Sequence, residues 1–281
     1  VAGVMIVVAL LGKWIASWLT QKIYRGDVYA THGLGPVAQA LDIHRGDRMK
    51  TLVAMDTKSV AGKALVEERT GAGCDNFRNG DHTTTLIRTE NGKVIEIQHN
   101  VMTPQPYNRL YQLTGTKGFA NKYPVEGYAL DAKQLTASGM EPKVDDLSSH
   151  SFLPKDEMNA LVEKYQHPIL KKYGEMAKEV GGHGGMDFIM DSRLVYCLQN
   201  GLPLDMDVYD LAEWCCLAEL GELSMDNGCA SVAFPDFTRG EWNKIKGYKH
   251  AYATPEEEAA IMEKAKAFTQ KLKEKGAEER D

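Results

Sequence analysis

A chain of 281 residues, 43% hydrophobic and 26% charged, can bury one or two cores and is too apolar for a disordered or fibrous protein. Its formal net charge is −6, and Lys/Arg runs are sparse outside the tail, which argues against a nucleic-acid partner; a small molecule is the expected one. The five cysteines, Cys74, Cys197, Cys215, Cys216 and Cys229, are odd in number and include no C-x-x-C pair, so neither a zinc site nor a disulfide framework is predicted. Cys215 and Cys216 lie within a helical pattern and are expected as buried free thiols.

Residues 1–22 are an atypical apolar segment. The run over 1–12 is uninterrupted, Lys13 breaks it, and 14–19 is apolar again except for Ser17. A membrane helix needs about 20 apolar residues, more than this run offers. No basic segment precedes it, no clear small-residue cleavage site follows it, and the chain does not begin with Met. A fragment end or a buried first helix is expected here, ahead of a membrane anchor over 1–19. The compartment stays open between cytoplasm and periplasm.

Residues 23–250 read as one α+β domain. A short helix is predicted over 34–41, after a turn at Gly33-Leu34-Gly35-Pro36, with Pro36 near its first position. A strand over 49–55 leads into a helix over 58–68, then into a Gly/Asn/Asp-rich loop over 71–81 that should be exposed. Segments 82–89 and 93–101 form a hairpin: Thr83, Thr85 and Ile87 alternate with their neighbours, as do Val94, Glu96 and Gln98, and Asn91-Gly92 supplies the tight turn. A third strand is expected over 109–114, ending at Gly115. Successive antiparallel strands without intervening helices indicate an open, mostly antiparallel β-sheet with helices packed on one face.

From residue 155 the pattern turns helical. Amphipathic helices are predicted over 155–165 and 169–180, separated by Pro168. The run Gly181-Gly182-His183-Gly184-Gly185 opens a helix through Leu198 that Asn200-Gly201 closes, and Asp207 caps another over 208–223. Residues 251–281 form a charged amphipathic helix and tail, with Ile261, Ala265, Phe268 and Leu272 on one stripe of the helix over 255–273. A strand–GxGxxG–helix unit is not recognisable: Gly71-Ala72-Gly73 follows a helix, and Gly33-Leu34-Gly35 runs into Pro36.

The segment with most chemistry is Gly26-Asp27-Val28-Tyr29-Ala30-Thr31-His32-Gly33-Leu34-Gly35-Pro36. A phenol and an imidazole three residues apart before a glycine turn suit proton transfer from a shared loop; equally, His32 would cap the following helix and Tyr29 would be core. The Gly181 to Gly185 run offers backbone N–H groups to an anion, or is simply a tight loop. His183 and Asp187 make half a metal site without a third ligand, so no metal is predicted. Asp205, Asp207 and Asp210 look like a calcium cluster, but capping accounts for Asp207 and Asp210. Trp214 and Trp242 suit stacking on a sugar, or core packing.

The sequence closely resembles glycoside hydrolase family 109, the NAD-dependent α-N-acetylgalactosaminidases built on the Gfo/Idh/MocA oxidoreductase plan. The family's Y-P-T-H-G-L-G-P stands here as Tyr29-Ala30-Thr31-His32-Gly33-Leu34-Gly35-Pro36, and its N-x-x-R-G-D-[RK] resembles Asp42-Ile43-His44-Arg45-Gly46-Asp47-Arg48. Further matches are Gly115-Thr116-Lys117-Gly118, Gly182-His183-Gly184-Gly185-Met186-Asp187-Phe188, Asn200 to Asp210 and Pro235-Asp236-Phe237-Thr238-Arg239-Gly240, in register over about 26–242.

The resemblance implies a C-terminal substrate-side domain whose N-terminal Rossmann domain, the main holder of NAD, is absent from the chain. It implies an N-acetylgalactosaminide-type glycan as substrate, transient oxidation at sugar C3, elimination of the aglycone, water addition and return of the hydride. Tyr29 corresponds to a substrate-contacting tyrosine and His32 to a candidate acid/base. Tyr107 or Tyr111 matches a second substrate tyrosine, with Tyr107 preferred because Pro106-Tyr107-Asn108-Arg109 resembles P-Y-[SN]-R. His183, inside a shared block, joins the candidate substrate contacts; cofactor-binding residues are not identified. Two positions depart: Ala30 replaces the family's Pro, and Ser17-Trp18-Leu19 stands where a substrate arginine is usual. The alternatives are a sugar oxidoreductase of the same superfamily and a non-catalytic binding module, with the sheet face as the expected surface of a homo-oligomer.

Overall fold

The computed structural model describes residues 24–144, 146–248 and 250. The apolar segment 1–22 and the helix expected over 255–273 lie outside the described residues. Those described fall into two compact units, 24–171 with 207–248, and 172–206 with 250.

The first unit is built on a four-stranded sheet ordered β3-β2-β1-β7, with β1 Met49–Asp56, β2 Thr83–Thr89, β3 Val94–His99 and β7 Val232–Ala233, every ladder antiparallel. Alternation sets its faces. Leu52, Ala54, Ile87, Ile95 and Ile97 are buried, while Met55, Leu86 and Val94 point to the exposed side. Helices α1 (Thr31–Ala40), α7 (Val208–Cys215) and α8 (Leu217–Asp226) close the buried side, bringing Leu34, Ala38, Trp214, Leu217 and Met225 into one core with the strands. This is the expected α+β arrangement, an open antiparallel sheet with helices on one face. The β2–β3 turn at Asn91-Gly92 also forms as expected, with Gly92 at φ 82°.

Five local expectations are corrected. Helix α1 begins at Thr31, three residues early, so Gly33, Gly35 and Pro36 are helical and not a turn. Gly35 lets the helix pass close to the Trp214 ring, from which a Cβ would stand 3.2 Å. The expected third strand starts later, at β4 (Gln112–Gly115), and leaves the main sheet to pair with β5 (Gly118–Asn121) and β6 (Gly127–Ala129). Leu110, at φ +47°, interrupts the extended backbone ahead of it.

The loop over 71–81, which follows α2 (Ala61–Thr70), is not uniformly exposed: Phe77, Asn79 and Asp81 are buried. The Asp81 carboxylate accepts from the N–H groups of Val60, Ala61 and Gly62, satisfying the start of α2 from a distance in sequence. Burial works to raise the pKa of Asp81, but those three donors outweigh it and hold the carboxyl below its ordinary value. Finally, the helix expected over 208–223 is two helices that meet at Cys216. Cys215 is exposed, contrary to expectation, while the partly buried Cys216 thiol is pushed up to about 12, first by burial.

A smaller core of Leu135, Leu153 and Leu161 joins α3 (Ala132–Ala137) and α4 (Lys155–Tyr165) to Tyr128 and Leu130. Helix α5 (Pro168–Val180) contains the boundary between the units. In the second unit the residues from Gly181 to Gly185 all have positive φ and form a tight turn into α6 (Met186–Asn200). A Cβ on Gly185 would lie 2.6 Å from the Ala177 carbonyl carbon, so only glycine fits. Gly201, at φ 62°, closes α6, and Arg193 clasps Asp205 through two bonds of 2.8 Å. No described helix is long and apolar enough to cross a membrane.

Candidate functional site

The start of α1 is placed by polar contacts beneath it. Asp27 is buried just ahead of the turn that leads into the helix. Burial pushes this carboxyl up to about 6. Asn79 Nδ2 donates to the Gly26 carbonyl at 2.8 Å and holds the preceding residue. Ala30 has φ −62°, the angle a proline ring imposes, so the backbone there accepts either residue.

On this base Tyr29 and His32 stack, with ring centroids 4.4 Å apart and planes 23° from parallel. The Tyr29 hydroxyl is 3.3 Å from His32 Nε2, and Thr31 Oγ1 is 3.5 Å from Nδ1. Both rings are exposed, Tyr29 to 60%. His32 therefore sits in the first turn of a helix with its imidazole against a phenol at the surface.

A second aromatic segment meets this turn. The Tyr111 hydroxyl donates to the His32 carbonyl. Arg109 Nε donates to the Tyr107 hydroxyl, and its guanidinium carbon lies 5.6 Å from the Tyr107 ring centre. Tyr123 packs edge-on to Tyr107 at 6.0 Å and tilted to Tyr111 at 6.3 Å. Desolvation works against the Arg109 charge, but the phenols of Tyr111 and Tyr107 outweigh it and raise its pKa. Tyr29, His32 and Tyr111 thus come together, with Tyr107 joined to Tyr111 through Arg109 and Tyr123. His183 lies in the second unit, where its Nδ1 is 2.8 Å from Asp187 Oδ2. Sequence reasoning missed Asp27 and Tyr123 and gave Arg109 no role of its own; the Pro-Tyr-Asn-Arg spacing was the signal for Arg109, and nothing local marks Tyr123.

The loop after α1 anchors the helix to the rest of the unit. Arg45 clasps buried Asp210 through two bonds of 3.0 and 2.9 Å and lies over the Tyr248 ring at 4.8 Å. Gly46 adopts φ +132° and donates to the Trp242 carbonyl at 2.9 Å. Asp47, fully buried, accepts from Thr89 Oγ1 and the N–H groups of Arg48 and Asn91, which ties the loop to the hairpin turn. The Arg-Gly-Asp run is thus a structural clamp.

Within the clamp, one ligand atom each from His44, Asp207 and Asp210 lies within 4.8 Å of the others, close enough for a metal. The cation already there is Arg45, while Asp207 and Asp210 form a capping box at the start of α7 and Glu213 Oε2 takes His44 Nδ1 at 3.0 Å. Burial works to lower the pKa of His44, and the contact with Glu213 and the charge of Asp210 carry it above its ordinary value. Trp214 is buried against Gly35 and serves as core; Trp242 is partly buried.

Fold and site together define a class: an α+β domain with an open antiparallel sheet, whose named strands pair only antiparallel and which presents a stacked phenol–imidazole pair at a helix start. The sequence profile described as "Glycosyl hydrolase 109, C-terminal domain" matches residues 11–244. The chain belongs to that family, through its C-terminal domain. It is 87% identical over 256 residues to "Glycosyl hydrolase family 109 protein 5" of Phocaeicola vulgatus, covering 91% of this chain and 49% of the relative. "Glycosyl hydrolase family 109 protein 3" of the same species is 67% identical over 253 residues, 90% of this chain and 46% of the relative. A "Glycosyl hydrolase family 109 protein" of Porphyromonas gingivalis is 63% identical over 230 residues, 82% of this chain and 49% of the relative. The chain spans about half the length of the curated relatives it matches.

Proposed function

We propose that the chain is the sugar-side portion of a glycosidase that cleaves α-N-acetylgalactosaminides through NAD-dependent transient oxidation of the sugar. The observation that carries this reading is the exposed Tyr29–His32 stack, in a motif of the family to which the chain belongs. In this reading His32 Nε2 takes a proton from the sugar, and the Tyr29 hydroxyl, 3.3 Å away, shares it. Tyr107, exposed and held by Arg109, supplies a sugar contact.

Bound NAD would supply hydride acceptance at C3, and the ketone so formed would make the neighbouring C2–H acidic enough for a side chain to remove. The described residues do not fit a dinucleotide by themselves: the glycine run from Gly181 follows helix α5 and not a strand, and every ladder is antiparallel. The reading accordingly assigns the cofactor to the remainder of the full-length protein and no residue of this chain to it.

The test is turnover of an aryl α-N-acetylgalactosaminide by the full-length protein supplied with NAD. Free phenol without net accumulation of reduced nicotinamide is expected. Reduced nicotinamide with a keto-sugar and no phenol would replace the reading with a sugar oxidoreductase, and no turnover of either kind would overturn it.

A further inference from the structure

Tyr107 and Tyr111 lie on residues 104–111, which form neither helix nor strand. A ring on such a segment keeps one place only through what packs against it. Tyr107 is 70% exposed, and the Arg109 side chain that bonds to it belongs to the same segment. Tyr123 comes from a braced part of the fold. Strands β4 and β5 pair from Gln112–Asn121 to Gly115–Gly118, and the Lys122 N–H extends the ladder by donating to the Tyr111 carbonyl at 2.8 Å. A Cβ on Gly118 would lie 2.8 Å from the Ala129 carbonyl oxygen, so β5 sits close on β6. Past Tyr123, Asn121 Nδ2 donates to the Val125 carbonyl at 2.6 Å and Lys122 pairs with Glu126 at 2.9 Å, which closes the turn. From this base the Tyr123 ring meets Tyr107 edge-on at 6.0 Å and Tyr111 at a tilt at 6.3 Å, both within the range of favourable aromatic pairs.

We infer that Tyr123 is a positioning residue: its ring, seated on the β4–β5 hairpin, is the wall against which Tyr107 and Tyr111 are set to receive the sugar. The inference rests on the proposed sugar-binding role of this aromatic cluster. Tyr123 acts through ring packing, so its ring carries the role and its hydroxyl does not. Each aromatic pair is worth a factor of about two to ten in holding one conformation. Rings set in advance spare the cost of ordering them when the sugar binds. That saving applies to bound substrate and transition state alike, and it falls on KM more than on kcat.

The experiment compares the full-length protein with its Tyr123→Leu and Tyr123→Phe variants, using the aryl glycoside and NMR of ring-labelled tyrosines. Tyr123→Leu is expected to raise KM about tenfold while kcat changes less than about threefold, and to shift the ring resonances of both Tyr107 and Tyr111. Tyr123→Phe keeps the ring and is expected to hold KM within about twofold of the parent. Should Tyr123→Leu not fold, Tyr123→Met takes its place with the same expectation. A parental KM without the aromatic ring would overturn the inference, as would a fall in kcat alone. An equal rise of KM in Tyr123→Phe would also overturn it, by making the hydroxyl the working group. If the unsubstituted protein releases no phenol, the glycosidase reading fails, and the tyrosine resonances alone decide the role of Tyr123: shifts of both rings in the leucine variant and not in the phenylalanine variant support it, and any other pattern overturns it.

Discussion

Arg45 and Asp210, 165 residues apart in the chain, form a two-pronged ion pair of 3.0 and 2.9 Å in the interior of the first unit. Asp210 also accepts from the Asp207 N–H at 2.9 Å, so the pair fixes the start of α7 as well as the loop after α1. Removing the cation strands a carboxylate that is 98% buried on its side chain. Arg45→Ala is therefore expected to cost about 3–5 kcal/mol of unfolding free energy, the range for breaking a buried pair from one side. Urea unfolding measures it, and a loss below about 1 kcal/mol would show that the clamp is dispensable.

Gly35 and Trp214 give a second, steric prediction. A Cβ at Gly35 would stand 3.2 and 3.3 Å from two carbons of the buried indole ring. Gly35→Ala gains helix propensity but overpacks the core, and the expected net loss is about 1–2 kcal/mol. The indole emission should change with it. A stabilised variant would mean that the ring moves aside freely.

These contacts also explain what the sequence makes legible. The β2–β3 hairpin could be read because alternation and the Asn91-Gly92 turn are local, and α4 matches its predicted span of 155–165 for the same reason. The α1 start could not: Gly33, Gly35 and Pro36 carry the local signature of a turn, and tertiary packing on Trp214 decides for helix. The site was half legible. Tyr29 and His32 are neighbours along the chain, but Tyr111 meets His32 across 79 residues and Arg45 meets Asp210 across 165, distances at which spacing gives no signal.

Two buried groups predict opposing pH dependences. Burial raises Asp27 from 3.8 to about 6, so between those values the folded state holds a proton that the unfolded chain has lost, and stability falls as pH rises. His99 is lowered from 6.5 to about 4, by burial first and then by His82; across that window the unfolded chain binds the extra proton, and stability rises with pH. Each shift corresponds to about 3 kcal/mol, so the two slopes largely cancel. Relative to the unsubstituted chain, Asp27→Asn should gain stability at pH 7 and show a rising difference between about pH 4 and 6, while His99→Gln should show a falling one. Difference profiles that stay flat in urea unfolding across that range would refute both assignments.

His32 itself distinguishes a chemical role from a capping one. Its ring is exposed and lies against Tyr29, and α1 has no side-chain capping bond at its N-cap, Ala30. Substitution at an exposed position typically changes stability by no more than about 0.5 kcal/mol. His32→Ala in the full-length protein should consequently leave the melting temperature within a few degrees of the parent. In the proposed reaction it removes the group that takes the sugar's proton, and a loss of about a hundredfold or more in kcat is expected. The two readouts must separate: activity falling only in proportion to a large drop in melting temperature would make His32 a stability residue and remove the proton-transfer role from the Tyr29–His32 stack.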